Sequence, residues 1–117
     1  MTPEGSVLRA CLDLLAAERI WHCRMNTGAL KVDKRFFRFG KKGMADILST
    51  PWIFERCDDS WSIRPLWIEA KAAKGRQTED QAEFEREVSE QGHHYLLVRD
   101  VDTLKSWLIE HGVIRSK

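Results

Sequence analysis

Glu69 and Lys71 close an apolar run, Leu66-Trp67-Ile68-Glu69-Ala70-Lys71, that reads as a core strand. Residues i and i+2 of an extended chain share a face. A carboxylate is thereby set beside an amine, while Leu66, Ile68 and Ala70 turn the other way into a core. A second acid, Asp46, opens another apolar run in Gly43-Met44-Ala45-Asp46-Ile47-Leu48. Hard carboxylate oxygens suit Mg²⁺ or Mn²⁺, which polarises a phosphate and lowers the pKa of bound water. A nearby ammonium then orients hydroxide or stabilises developing negative charge. Asp46, Glu69 and Lys71 therefore suit metal-dependent phosphodiester hydrolysis. The same two strand residues also fit a plain ion pair at a strand end, which is common and weak, and the Glu-x-Lys spacing alone is not specific.

The elements that must hold these residues follow from periodicity and punctuation. Thr2-Pro3-Glu4 reads as a helix start: a capping hydroxyl, a proline tolerated at the first helical position, and an acid in the first turn. Val7, Leu8, Cys11, Leu12, Leu14 and Leu15 continue at helical spacing. Residues 20–25 form a first strand, ended by Asn26-Thr27-Gly28. A polar, basic stretch to Lys42 is expected to be a hairpin or long loop, with Phe37 and Phe39 on one face. Residues 45–50 form a short buried strand. Cys57-Asp58-Asp59-Ser60 is a turn signal, so 52–55 and 61–71 are expected to pair antiparallel. Thr78-Glu79-Asp80-Gln81 is a capping-box pattern opening a helix to Gln91, stopped by Gly92. Tyr95-Leu96-Leu97-Val98 is a compact strand. Asp102 is expected to cap a last helix that Gly112 ends. A strand, a helix and another apolar strand make a parallel crossover, and the fold class is α/β, a mixed sheet flanked by helices.

At 117 residues the chain suits one domain with a single core. Its formal net charge of +1 hides strong patterning. No apolar run is long enough to span a bilayer and the first residues lack signal-peptide character, so a cytoplasmic protein without membrane partners is expected. Cys11, Cys23 and Cys57 show no C-x-x-C pair and are expected to be small, buried or half-buried thiols. His22, His93 and His94 have no zinc-ligand spacing.

Taken together, these landmarks resemble the virus-type replication-repair nuclease (VRR-NUC) family of the PD-(D/E)xK superfamily, in its single-domain phage and bacterial form. The likeness runs from Glu4 to about Leu108. It is carried by Glu4, Arg24-Met25-Asn26-Thr27-Gly28, Gly43-Met44-Ala45-Asp46, Ile68-Glu69-Ala70-Lys71, Gln81 with Phe84, and Gly92. Ala45 departs from the proline that many superfamily members carry before the Asp; that proline shapes a turn and does no chemistry. The resemblance implies a restriction-endonuclease-like core and metal ligation by Asp46, Glu69 and the main-chain carbonyl of Ala70. It further implies that Lys71 positions the nucleophile, that Glu4 completes the metal site directly or through water, and that Gln81 supports Lys71 or the water. Glu4 is equally an acid favoured by the helix dipole, and Gln81 is equally half of a capping box.

A second feature is a basic stripe. Arg24, Lys31, Lys34, Arg35, Arg38, Lys41 and Lys42 are opposed by Asp33 alone, and Lys74 and Arg76 follow Lys71. With Asn26, these are candidate contacts to a DNA backbone; a solvated loop is the ordinary fate of such a run. The helix after Thr78 is by contrast mostly acidic, so two faces of different potential are expected. No segment resembles a base-reading helix, which favours shape or branching over sequence. The resemblance implies a DNA endonuclease acting on branched or structured DNA, such as Holliday junctions, as a homodimer in a bacterial or phage-infected cell. Trp52, Phe54 and Trp61 are expected to be exposed and are candidates for the dimer contact, ordinary sheet packing being an equal alternative. The alternatives are a flap, splayed-arm or restriction-type nuclease of the same fold, and a non-cleaving DNA-binding module.

Overall fold

The computed structural model describes residues 1–25, 28–32, 35–39 and 41–116, with side chains described outside 26–40. The chain begins with α1 (Pro3–Ala17), where Thr2 Oγ1 accepts the N–H of Gly5 at 3.0 Å and Pro3 fills the first position. The strands β1 (His22–Arg24), β2 (Gly28–Val32), β3 (Arg35–Phe39), β4 (Ile47–Ser49), β5 (Trp52–Glu55), β6 (Ser60–Ile63) and β7 (Leu66–Ala70) follow. Then come α2 (Glu79–Glu90), β8 (His94–Val98) and α3 (Val101–Glu110).

A four-stranded mixed sheet, in the order β1-β4-β7-β8, organises the rest. β4 pairs antiparallel with both β1 and β7, and β8 pairs parallel with β7. The expected β7-α2-β8 crossover is therefore present. Every residue of β7 is buried. Leu66, Ile68 and Ala70 join Cys11 and Leu15 of α1 and Leu104 and Leu108 of α3 in one cluster. Trp67 joins Phe84 and Val88 of α2 in a second cluster. Both faces of the central strand are thus covered by helices, and its alternate residues serve two different cores.

Four expectations change on inspection of the structure. The segment 61–71 is not one strand: β6 ends at Ile63 and β7 begins at Leu66, with Arg64-Pro65 between them, because proline has no N–H for a ladder. β6 pairs with β5 in a separate two-stranded sheet. The cap of α3 is Asp100, whose Oδ1 accepts the N–H of Thr103 at 2.9 Å; Asp102 lies inside the first turn. Cys11 is buried, and burial pushes its thiol up to about 11, but Cys23 and Cys57 are exposed. Phe54 is half-buried, whereas Trp52 and Trp61 are exposed.

β2 and β3 pair antiparallel from Gly28↔Phe39 to Val32↔Arg35, in keeping with a hairpin. The expected common face of Phe37 and Phe39 lies outside the described side chains. No described helix is long and apolar enough to cross a membrane.

Candidate active site

Asp46, Glu69 and Lys71 come together where β4 starts and β7 ends. Asp46 directly precedes β4, and its backbone carbonyl accepts the N–H of Met25 at 2.7 Å. Its Oδ2 accepts the N–H of Ala70 at 2.8 Å. One carboxylate thereby bridges two neighbouring strands at the level of Glu69. Lys71 continues the ladder beyond β7, its N–H donating to the carbonyl of Val98 at 2.9 Å.

Glu69 is only 2% exposed, and its Oε1 meets no hydrogen-bond donor among the described residues. Its Oε2 accepts from Gln81 Nε2 at 3.3 Å and lies 3.9 Å from Lys71 Nζ. Burial and the adjacent Asp46 carboxylate raise the Glu69 pKa to about 8, with Lys71 opposing them. A desolvated carboxylate with an idle oxygen, set against a second carboxylate, carries an unmet demand for positive charge. Lys71 meets part of that demand. It is 7% exposed itself and stands 4.0 Å from Glu4 Oε1 on its other side.

Glu4 therefore reaches the site through Lys71. Among the described residues no group of three or more His, Cys, Asp or Glu side chains forms a ready-made ion site. The donors at hand fit a hard cation nonetheless: two carboxylates, one with a buried oxygen that no described donor meets, beside the backbone of Ala70. Mg²⁺ usually takes one or two carboxylates and completes its shell with water and substrate phosphate.

Gln81 closes the capping box as expected, but its amide contacts Glu69, where support of Lys71 or of a water was expected. Its Oε1 accepts the N–H of Thr78 at 2.9 Å, Thr78 Oγ1 accepts the N–H of Gln81 at 3.1 Å, and its Nε2 is left to reach Glu69. The capping box thus orients the amide that holds the carboxylate.

The basic residues divide. Arg24 is exposed at the end of β1. Lys41 pairs with Glu87, and Lys42 with Asp80 at 3.4 Å, so the end of the basic stripe lies against the acidic helix α2. The two faces expected to differ in potential meet at this seam. Lys74 and Arg76 are exposed on the loop after Lys71. The side chains of Asn26, Lys31, Lys34, Arg35 and Arg38 lie outside the described residues.

Sequence reasoning passed over three residues near the site. Arg99 donates to the carbonyl of Gly75 at 2.8 Å and so braces the loop bearing Lys74 and Arg76. Gln77 Nε2 donates to Glu85 Oε1 at 2.9 Å and to Tyr95 Oη at 3.2 Å. The Tyr95 pKa is raised, first by burial, with Glu69, Glu85 and Asp46 adding to it and Gln77 opposing. Tyr95 sits in an apolar run and Arg99 just after it, and nothing in their spacing distinguishes them. Two of the histidines are tied elsewhere: His93 Nδ1 accepts from Trp67 Nε1 at 2.9 Å, and His22 Nδ1 lies 2.8 Å from the carbonyl of Ile20, while His94 Nε2 is buried without a hydrogen-bond partner among the described residues.

Compared with family models, curated proteins and solved structures, the chain matches none.

Proposed function

We propose that this chain is a Mg²⁺- or Mn²⁺-dependent DNA endonuclease with a PD-(D/E)xK core of the VRR-NUC type, acting on branched or structured DNA as a homodimer. The observation that carries the reading is the buried Oε1 of Glu69, without a donor among the described residues and beside Asp46, with the Lys71 ammonium within 4 Å of the same carboxylate. Burying two carboxylates together is costly unless a cation or a bound proton compensates; one lysine shared with Glu4 compensates only in part, and the raised Glu69 pKa marks where a proton sits until a divalent ion replaces it. Such a cluster is an expensive way to build a strand end and a suitable way to hold a divalent ion.

Asp46, Glu69 and the Ala70 carbonyl would hold that ion, which when bound polarises a phosphate and acidifies water. The chain's own residues supply the rest. Lys71 can donate to an attacking water or to a phosphate oxygen as negative charge grows there. Gln81 fixes Glu69 and keeps its second oxygen available. Glu4 limits the motion of Lys71 from the far side. Lys74 and Arg76, on the adjoining loop, suit backbone phosphates, and Arg99 holds that loop in reach.

The test is cleavage of a four-way junction, a flap, a splayed arm and plain duplex, each with Mg²⁺, Mn²⁺ or EDTA. Paired, metal-dependent nicks in the junction are expected. Cutting restricted to the flap or splayed arm would retain the chemistry and reassign the substrate. Binding of every substrate without cutting in either metal would leave a DNA-binding module and remove the nuclease reading.

A further inference from the structure

Gly43 stands three residues before Asp46, in a turn closed by the N–H of Met44 donating to the carbonyl of Lys41 at 3.0 Å. Its φ of +77° is one that side chains disfavour, but the conformation is only half of its role. A Cβ at this position would lie 2.1 Å from the carbonyl oxygen of Asp80, 2.4 Å from its carbon and 2.8 Å from the backbone nitrogen of Gln81. All three are backbone atoms in the first turn of α2. Here the chain leading to Asp46 docks, backbone on backbone, against the turn that carries Gln81.

The contact is fastened on both sides. Lys42 pairs with Asp80 and Lys41 with Glu87, and Ala45 and Met44 pack with Phe84 and Val88 of the same helix. From this seam two short paths reach the carboxylate pair. One runs from Gly43 through Ala45 to Asp46, whose Oδ2 accepts from Ala70. The other runs from Asp80 to Gln81, whose amide holds Glu69.

We infer that Gly43 is a positioning residue for the acidic site: its lack of a side chain lets the Asp46 segment and the first turn of α2 meet closely enough to set Asp46, Glu69 and Gln81 relative to one another. The inference rests on reading that site as the metal-binding centre of a nuclease.

Gly92 supplies the matched control. Its φ is +84°, and a Cβ there meets only the Arg64 guanidinium, at 3.9 Å. Gly43→Ala and Gly92→Ala therefore impose similar backbone strain, and only the first forces the seam apart. Two readouts separate them: Mn²⁺ binding by calorimetry, and the ¹H–¹⁵N signal of the Gln81 side-chain amide without metal.

In Gly43→Ala, Mn²⁺ affinity should fall about tenfold or more, the scale of a lost supporting contact, and the Gln81 amide should move toward the position of a free amide. Gly92→Ala should leave both as in the wild type. Equal behaviour of the two variants, with an unmoved Gln81 amide, would overturn the inference. If Gly43→Ala does not fold, Lys41→Gln combined with Lys42→Gln loosens the seam without strain, and an unmoved Gln81 amide there overturns it too. A wild type that binds no Mn²⁺ would defeat the nuclease reading, leaving the amide comparison to decide the positioning.

Discussion

The Asp46 carboxylate is hydrogen-bonded to the backbone of Ala70, the residue between Glu69 and Lys71, at 2.8 Å. One side chain thus serves structure and chemistry together, and two substitutions separate the roles. Asp46→Ala orphans the N–H of Ala70, a residue only 1% exposed, which should cost about 1–3 kcal/mol. Asp46→Asn keeps an acceptor and should cost well under that. Both should slow metal-dependent cleavage by on the order of 100-fold, since even groups that only support a ligand cost about 10- to 100-fold. Paired denaturation and cleavage measurements check this; an Asn variant that cuts like the wild type contradicts the role given to Asp46.

Glu69 makes stability depend on pH in a direction opposite to an ordinary salt-bridged acid. Its folded pKa is raised from 4.5 to about 8 by burial and Asp46, so the native state binds more protons than the unfolded one between those values. Its stabilising contribution is complete below about pH 4.5 and is lost as pH rises through 8. Glu69→Gln should flatten the unfolding profile over this window. Mg²⁺ should stabilise the wild type more at pH 8.5 than at pH 5.5, because it binds the charged form. Chemical denaturation across pH, with and without Mg²⁺, reads both effects.

Gln81 can be changed without losing its cap. Glu in a capping box accepts the same backbone N–H, so Gln81→Glu should keep α2 intact while adding a third acid beside Glu69 and Asp46. The predicted result is a Glu69 pKa pushed higher still and a cleavage optimum moved to more alkaline pH. Gln81→Ala should instead cost about 1 kcal/mol through the lost cap and slow cleavage without moving the optimum. The pH–rate profiles of the two variants distinguish holding Glu69 from merely starting a helix.

β5 and β6 put Trp52 opposite Ile63 and Phe54 opposite Trp61, four apolar residues on one face. Trp52, Trp61 and Ile63 are 58%, 52% and 54% exposed. A small chain rarely leaves such a face bare, and a second copy meeting it would pair two active sites. Trp52→Ser with Trp61→Ser should turn a dimer into a monomer in sedimentation equilibrium and convert paired junction cuts into single nicks. An unchanged mass would move the dimer contact elsewhere.

Local chemistry in the sequence was enough to foresee much of this arrangement. Thr2-Pro3, Thr78 with Gln81, and Gly92 punctuate the helices as their side chains and backbone freedom require, and the crossover followed from two apolar runs flanking α2. The Glu69–Lys71 pairing followed from a period of two. Other features depend on contacts far apart in the chain. The break at Arg64-Pro65 is the exception, since Pro65 itself marks it in the sequence and the apolar residues on either side outweighed that signal in reading 61–71 as one strand. Asp100 and Asp102 are both competent caps, and only the geometry of the turn after β8 selects Asp100. The bond from Asp46 to Ala70 spans 24 residues, and the approach of Gly43 to Asp80 leaves no trace in composition or spacing.

Cleavage by wild type and Lys71→Ala, with Mg²⁺ and with EDTA, alongside DNA binding by each, tests the central claim most directly. The wild type should cut only with the ion. Lys71→Ala should bind DNA but cut on the order of 100-fold more slowly or worse, the usual scale for losing a group aimed at developing charge. A wild type that binds but never cuts, or a Lys71→Ala variant that cuts at the wild-type rate, would contradict the assignment of Asp46, Glu69 and Lys71 as a nuclease site.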